Sequence, residues 1–281
     1  MATYRALALS TKYWKPEEDY ILQIAEAIAN KAKNGDFVVV SEKALSIATG
    51  NIVDESKICP SKNARFIAKF CMRLGWGYLL GILCGFGKRL LRRLQEYPIG
   101  NGSRHKQLAL QRGGLLQALM FGSEGGIDGS NLPYSLVSLP LNDADEMATK
   151  VQKQIRERLG KNVNVLIVDT DKTYSFRNFH FTPRPKPLEG IYSLGGVCAY
   201  MLGRILRLKR RSTPLAVSGR RLRAEQALKI ANIADRARGP GSGATVWDMA
   251  ARFKVDTTDI TWGMLETLRH RPIVLVREEQ P

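Results

Sequence analysis

Twice along this chain an amphipathic helix pattern leads into a short apolar run, and each run ends on polar side chains. Between Pro16 and Lys33, the residues Tyr20, Ile21, Ile24, Ala25, Ile28 and Ala32 recur at three- and four-residue spacing. Asn34-Gly35-Asp36 ends that pattern, Phe37-Val38-Val39-Val40 reads as a buried strand, and Ser41-Glu42-Lys43 follows directly. From Asp143 to Leu159, Ala144, Met147, Val151, Ile155 and Leu159 share one side, and the mostly apolar run Val163 to Val168 then delivers Asp169. Helical period followed by a continuous apolar run requires helices packed on a sheet, with polar groups placed at strand ends, where sites are often built. The recurrence reads as two related halves without sequence repetition.

The chain has 281 residues, 44% of them hydrophobic, enough for one large domain or two intimately packed ones without covalent staples. Cys59, Cys71, Cys84 and Cys198 show no ligand spacing, and Met1-Ala2-Thr3-Tyr4-Arg5 opens no apolar leader segment. These features read as a reduced, cytoplasmic protein without a zinc site.

The net charge of +17 is concentrated. Residues 56–95 contain nine Lys/Arg and residues 190–224 contain eight, with no Asp or Glu in either stretch, so the two together account for the whole excess. An anionic partner follows: a nucleoside triphosphate, a polycarboxylate or phosphorylated metabolite, nucleic acid, or an anionic membrane surface. The competing reading is a solubilising basic face. No RNA-binding sheet signature or paired-cysteine finger accompanies the charge, which places nucleic acid behind the small anions.

Within 66–94, the uncharged core Leu74 to Gly87 is shorter than the roughly 20 residues a bilayer requires. An interfacial membrane helix, a buried hairpin and a subunit contact all suit it. Asn101-Gly102-Ser103 reads as a loop, with an apolar pattern returning over Gln107 to Met120. Tyr174 to Pro187 reads as an aromatic wall over a site. Further helices are expected over Ile191 to Leu208, Arg223 to Arg236 and Val246 to Phe253, and a last strand over Pro272 to Arg277.

The chemistry-bearing segment is Gly125-Gly126-Ile127-Asp128-Gly129-Ser130-Asn131, read together with Asp169-Thr170-Asp171. Carboxylates from two segments, with hydroxyl and carbonyl oxygens beside them, suit magnesium or manganese bridging to phosphate. Asp-Gly and Ser-Asn are equally ordinary turn formers, and an Asp after a strand often only caps a helix. The loop Gly239 to Thr245 offers backbone N–H groups to phosphate but lacks the Lys-Ser/Thr pair of a P-loop. His105, His180 and His270 are too dispersed to suggest a metal cluster. No nucleophile elbow or zinc-protease helix is present.

These motifs resemble the coenzyme F420-0:L-glutamate ligase family. The resemblance rests on Asn34 to Gly50, on Gly126-Ile127-Asp128-Gly129-Ser130-Asn131, on Ser138-Leu139-Pro140-Leu141 and on Val168-Asp169-Thr170. It implies an α+β fold with mixed sheets and packed helices in a two-lobed arrangement. Residues 1–281 would form one ligase-like domain, with 66–94 as an atypical insertion. It also implies GTP-dependent amide formation between an anionic acceptor and L-glutamate, with manganese or magnesium, in a homodimer. Carried over, Asp128, Asp169 and Thr170 hold the metal, while Ser41 and Asn131 contact the nucleotide. Gly241, Ser242 and Gly243 are added from the glycine loop, and Arg177 is expected on phosphate or a substrate carboxylate. The chain departs from the family at Ile47 and Thr49, where a lysine and a glutamate are usual. Asp169-Thr170-Asp171-Lys172-Thr173 also replaces Asp-Thr-Phe-Gly-Arg.

Overall fold

The computed structural model describes residues 3–122, 124–239, 241, 243 and 245–279. Strands are numbered along the chain. One seven-stranded mixed sheet runs in the order β1 (Thr3–Thr11), β9 (His270–Glu279), β2 (Phe37–Ser41), β5 (Asn164–Phe176), β6 (Phe179–Thr182) and β7 (Tyr192–Ser193). β8 (Lys209–Ser218) pairs along the opposite edge of β5. A two-stranded sheet joins β3 (Ile52–Asp54) to β4 (Leu136–Ser138). The architecture is α+β, a mixed sheet with packed helices.

The two helix-then-strand segments become the centre of the sheet. β2 and β5 are adjacent and parallel, with Phe37 opposite Asn164 and Ser41 opposite Val168. Side chains on a strand alternate between faces, so Val38, Val40, Val165 and Ile167 point one way and Phe37, Val39, Leu166 and Val168 the other. The first set packs with helices Tyr20–Ile28 and Ala144–Leu159 through Ile24, Ile28, Val151 and Ile155. The second packs with helix Ala224–Arg238 through Ile230, Ala231 and Ala234. Coverage on both faces explains why these strands read as apolar runs rather than as alternating patterns.

β5 continues well past the expected strand. Residues 164–168 pair with β2, and Tyr174 to Phe176 pair on that same edge with β6. Between them Asp169 to Thr173 have no strand neighbour on that edge. On the other edge Asp169 faces Thr213 and Lys172 faces Ser212, which leaves Thr170 and Asp171 bulged out of the ladder. The aromatic segment expected as a wall therefore forms the end of β5 and the β5–β6 hairpin, where Phe176 and Phe179 are exposed and Tyr174 and Phe181 are buried.

Helices also form away from the sheet. Asn101-Gly102-Ser103, expected as a loop, lies inside helix Ile99–Gly113. A side chain on Gly102 would sit 2.2 Å from the Tyr97 ring, so this glycine marks close packing and not a turn. Residues 66–94 adopt a helical hairpin, Lys62–Leu83 followed by Lys88–Gln95. The helix Lys62–Leu83 is longer than its uncharged core and, at 22 residues and mean hydropathy 1.3, long and apolar enough to cross a membrane by length and composition only. Its Ile67, Ala68, Met72 and Trp76 are buried in a core shared with Leu94, Leu108 and Val197.

Candidate functional site

The carboxyl ends of parallel β2 and β5 open into a cleft of about 1070 Å³. β2 ends at Ser41 on the cleft wall, and helix Glu42–Ala48 starts immediately. β5 supplies Asp169, Thr170 and Asp171 from the stretch where one edge is uncovered and the ladder bulges. The Asp128 loop is clipped to β4 by reciprocal backbone bonds between Asp128 and Ser138, at 3.2 and 3.0 Å. Asp128 and Asp169, 41 residues apart in sequence, thus line one cavity.

Each carboxylate already meets a cation. Lys43 Nζ contacts Asp128 Oδ2 and donates to Ser130 Oγ at 2.6 Å. The Ser130 N–H donates to Asp128 Oδ1 at 2.7 Å, the local turn anticipated for an Asp-Gly-Ser sequence. Burial would raise the Asp128 pKa, but Lys43 and Ser130 outweigh it and hold the carboxyl below its ordinary value.

Arg184 lies behind the wall, 3% exposed at its side chain, with Nε 3.2 Å from Asp169 Oδ2. Its Nη2 donates to Glu42 Oε1 at 2.6 Å and its Nη1 to the Gly125 carbonyl at 2.7 Å. A Cβ on Gly126 would fall 1.3 Å from Arg184 Nη1, so glycine at this position lets the guanidinium reach both carboxylates. Among the described residues, buried Asp169 Oδ2 meets Arg184 as an ion pair and makes no bond of full hydrogen-bond geometry. A carboxylate oxygen accepts in more than one direction, so a single ion pair leaves it capacity for a further ligand.

Glu42 carries the proton-sensitive position of this group. Burial raises its carboxyl, Arg184 pulls it back and Asp169 pushes it up again, leaving it at about 7. Because the folded state binds this proton more tightly than the unfolded chain, the contribution to stability is present at low pH and is lost as pH rises through about 7. Glutamine cannot titrate, so the stability of the parent relative to Glu42→Gln should fall between about pH 4.5 and pH 7. Urea unfolding of both proteins across that window is the measurement. A difference that stays constant with pH would mean that Glu42 remains ionised against Arg184.

A second charged group lines the cleft at Glu55, His105 and Glu124. His105 Nδ1 lies 2.6 Å from Glu55 and Nε2 lies 2.8 Å from Glu124. Burial opposes charge on the imidazole, yet the two carboxylates outweigh it and push its pKa well up. Lys106, fully buried, pairs with the other Glu124 oxygen and donates to the Met120 carbonyl at 2.6 Å.

Much of the lining is basic. Arg236, Arg238, Arg252, Arg269 and Arg271 line the cleft from the end of helix Ala224–Arg238, from helix Val246–Phe253, from just before β9 and from its start. Arg238 Nε and Nη2 are buried without hydrogen-bond partners among the described residues. Burial lowers its pKa, and nearby Asp235 and Asp169 offset this only in part.

All but two of the residues expected from sequence come together here: Ser41, Asp128, Asn131, Asp169, Thr170, Gly241 and Gly243 line the cleft. A side chain on Gly241 would sit 3.0 Å from Asn131 Oδ1, which puts Gly241 against the Asp128 loop. Ser242 lies outside the described residues. Arg177 is at the exposed β5–β6 turn with φ 52°, stacked 5.7 Å from Phe176, away from the cleft. Lys43, Arg184, Arg238 and the His105 group were not anticipated as site residues. Only Lys43 carried a sequence signal, its place directly after a strand.

Residues 8–181 match the family described as F420-0:gamma-glutamyl ligase. The chain belongs to this family. It is 34% identical over 286 residues to an uncharacterized protein of Methanocaldococcus jannaschii, a match covering 97% of this chain and 96% of that relative. It is also 28% identical over 151 residues to the coenzyme F420:L-glutamate ligase of the same organism, and 29% identical over 153 residues to that of Archaeoglobus fulgidus. Each of these ligase matches covers 53% of this chain and 53% of the ligase. The family match contains Lys43, Asp128 and Asp169, whereas Arg184 and the basic wall from Arg236 to Arg271 fall beyond it.

Proposed function

We propose that this chain is a GTP- and divalent-metal-dependent ligase that joins the amine of L-glutamate to a carboxylate of an anionic acceptor. Residues 1–281 would act as one ligase unit within a homodimer. The observation that carries this reading is the convergence of Asp128 and Asp169 on one cleft whose lining is also arginine-rich. Carboxylate, hydroxyl and carbonyl oxygens suit manganese or magnesium, and Asp169 Oδ2, ion-paired to Arg184 but without a hydrogen bond among the described residues, keeps acceptor capacity for the ion. Asp128, Asp169 and Thr170 would hold the ion, whose chemistry when bound is to neutralise phosphate charge.

In the same reading Ser41, Asn131, Gly241 and Gly243 flank the nucleotide, and Arg238 offers two buried donors to a phosphate or carboxylate group. Ser242 stays in the proposal only as the glycine loop suggested it, and Arg177 only as the family resemblance did. An acceptor carboxylate oxygen would attack the terminal phosphoryl group and GDP would leave. Glutamate's amine would then attack the acyl carbon, and the departing phosphate would carry away the amine's proton. Both steps depend on alignment and charge, so a protein nucleophile is unnecessary.

A second reading, a noncatalytic anion-binding protein, is favoured by one observation: Lys43 and Arg184 already neutralise the two carboxylates. Calorimetric titration of GTP, with ATP for comparison, with and without manganese separates the two. Metal-dependent binding supports the ligase and justifies assaying GDP release with glutamate and candidate acceptors. Binding that ignores manganese supports the second reading, and binding of neither nucleotide overturns the ligase and favours a scaffold that has lost its chemistry.

A further inference from the structure

The proposed ligase chemistry leaves the two acid-free basic stretches, 56–95 and 190–224, without a role outside the cleft. The fold packs them together. Trp76 and Tyr200 rings lie 5.7 Å apart, Arg204 Nε donates to the Cys84 carbonyl at 3.0 Å, and the Arg204 guanidinium lies 5.2 Å from the Phe86 ring.

Helix Lys62–Leu83 lies against the body by one side only. Trp76 Nε1 donates to the Leu119 carbonyl and Arg73 Nε to the Tyr97 carbonyl, both at 2.8 Å. The other side carries Phe66, Phe70, Leu74, Tyr78 and Ile82, an apolar row at four-residue intervals that is 41 to 60% exposed. Residues 67–80 are wound with the wide i→i+5 hydrogen bonding, so a spacing of four keeps this row near one side. Leu79 and Leu83 widen it, and Leu202, Ile205 and Leu206 are exposed on and just after the neighbouring helix Gly196–Ile205. Lys62, Arg65, Lys69, Lys88 and Arg92 are exposed around it, with Lys69 Nζ 5.3 Å from the Phe70 ring.

We propose that this face docks the protein on an anionic membrane surface. Helix Lys62–Leu83 would lie in the plane of the interface, with its outer apolar row among the upper acyl chains and the surrounding cations on lipid phosphates. The pattern is that of an interfacial helix, a basic rim around an exposed apolar row. Spanning the bilayer is disfavoured because the other side of the helix is already bonded to the protein. A second copy of the same face is disfavoured because a stretch of nine cations would meet itself with no acid on either side. Nucleic acid complements the charge but gives Leu74, Leu79, Ile82 and Leu83 nothing to stack on.

The test is co-sedimentation of the full chain with phosphatidylcholine vesicles and with vesicles that also contain phosphatidylglycerol. Partition onto the anionic vesicles alone, weakening as salt is added, is the expected result. The double variant Lys88→Gln with Arg92→Gln should bind them roughly 25-fold more weakly, since each cation near such a surface contributes about five-fold. Leu79→Ser with Ile82→Ser should cost at least about ten-fold through lost apolar contact. All four positions are exposed, so both variants should unfold at the parent's temperature and keep its nucleotide affinity. Absence of binding to anionic vesicles at low salt would overturn the proposal, as would parent-like binding by both variants. A solution dimer dissociated by Leu79→Ser with Ile82→Ser would assign the face to a second copy. Tighter binding to single-stranded RNA than to vesicles, lost in the same variants, would assign it to nucleic acid.

Discussion

Asp169→Asn should weaken manganese-dependent GTP binding by at least about 100-fold while leaving metal-free binding close to that of the parent. Asparagine keeps the shape of the side chain and removes the charge that a hard cation requires. Losing a partner that merely orients a metal ligand typically costs ten- to a hundred-fold in affinity, so losing a ligand itself should cost no less. The substitution is also tolerable to the fold, because Arg184 retains the Glu42 carboxylate and the Gly125 carbonyl. Asp128→Asn should have the same metal-dependent effect for a different local reason. There the lost charge also releases Lys43, leaving an ammonium group where a cation would have to sit. Calorimetric titrations of parent and both variants, with and without saturating manganese, provide the measurement. Equal affinities in all three proteins would remove these two aspartates from the site.

Glu124→Gln should destabilise the protein by about 3 to 5 kcal/mol, the usual range for removing one partner of a buried ion pair. Glu124 is 3% exposed at its side chain and serves two cations at once, the fully buried Lys106 through one oxygen and His105 through the other. Burial would raise its pKa, but Lys106 and His105 outweigh this and keep it ionised, so the native cluster depends on its charge. An amide of the same shape fills the space but leaves the buried Lys106 ammonium facing neutral acceptors, the amide oxygen and the Met120 carbonyl, with no compensating charge. Glu55→Gln should cost less, since Glu55 is more exposed and pairs only with His105. Denaturant unfolding of the two variants ranks them. A cost below about 1 kcal/mol for Glu124→Gln, the level of an exposed pair, would show that Lys106 finds another partner.

The structure distributes these charges in a way that local patterns only partly foretell. Asp128 and Asp169 could be marked in advance because each follows a recognisable element, a glycine-rich turn and an apolar strand. The residues that set their electrostatic state carry no comparable mark. Lys43 reaches Asp128 across 85 positions, and Arg184, in the run Pro183-Arg184-Pro185, reaches Glu42 across 142. Arg177 shows the converse: its place in sequence pointed to an anion site, yet the β5–β6 turn carries it to the surface.

By itself the sequence determined the helix-then-strand pairs, the strands buried on both faces, the loop that carries Asp128 and the concentration of charge in two acid-free stretches. These follow from side-chain periodicity and composition, which act over a few residues. Only the tertiary structure decided that β2 and β5 lie side by side, that β6 resumes the edge of β5 after a gap, and that Gly102 belongs to a helix packed on Tyr97. It also decided which cation meets which carboxylate. The physical reason is that strand pairing, close packing and burial of charge are settled between segments far apart in the chain, where the spacing of neighbouring residues carries no record of the partner.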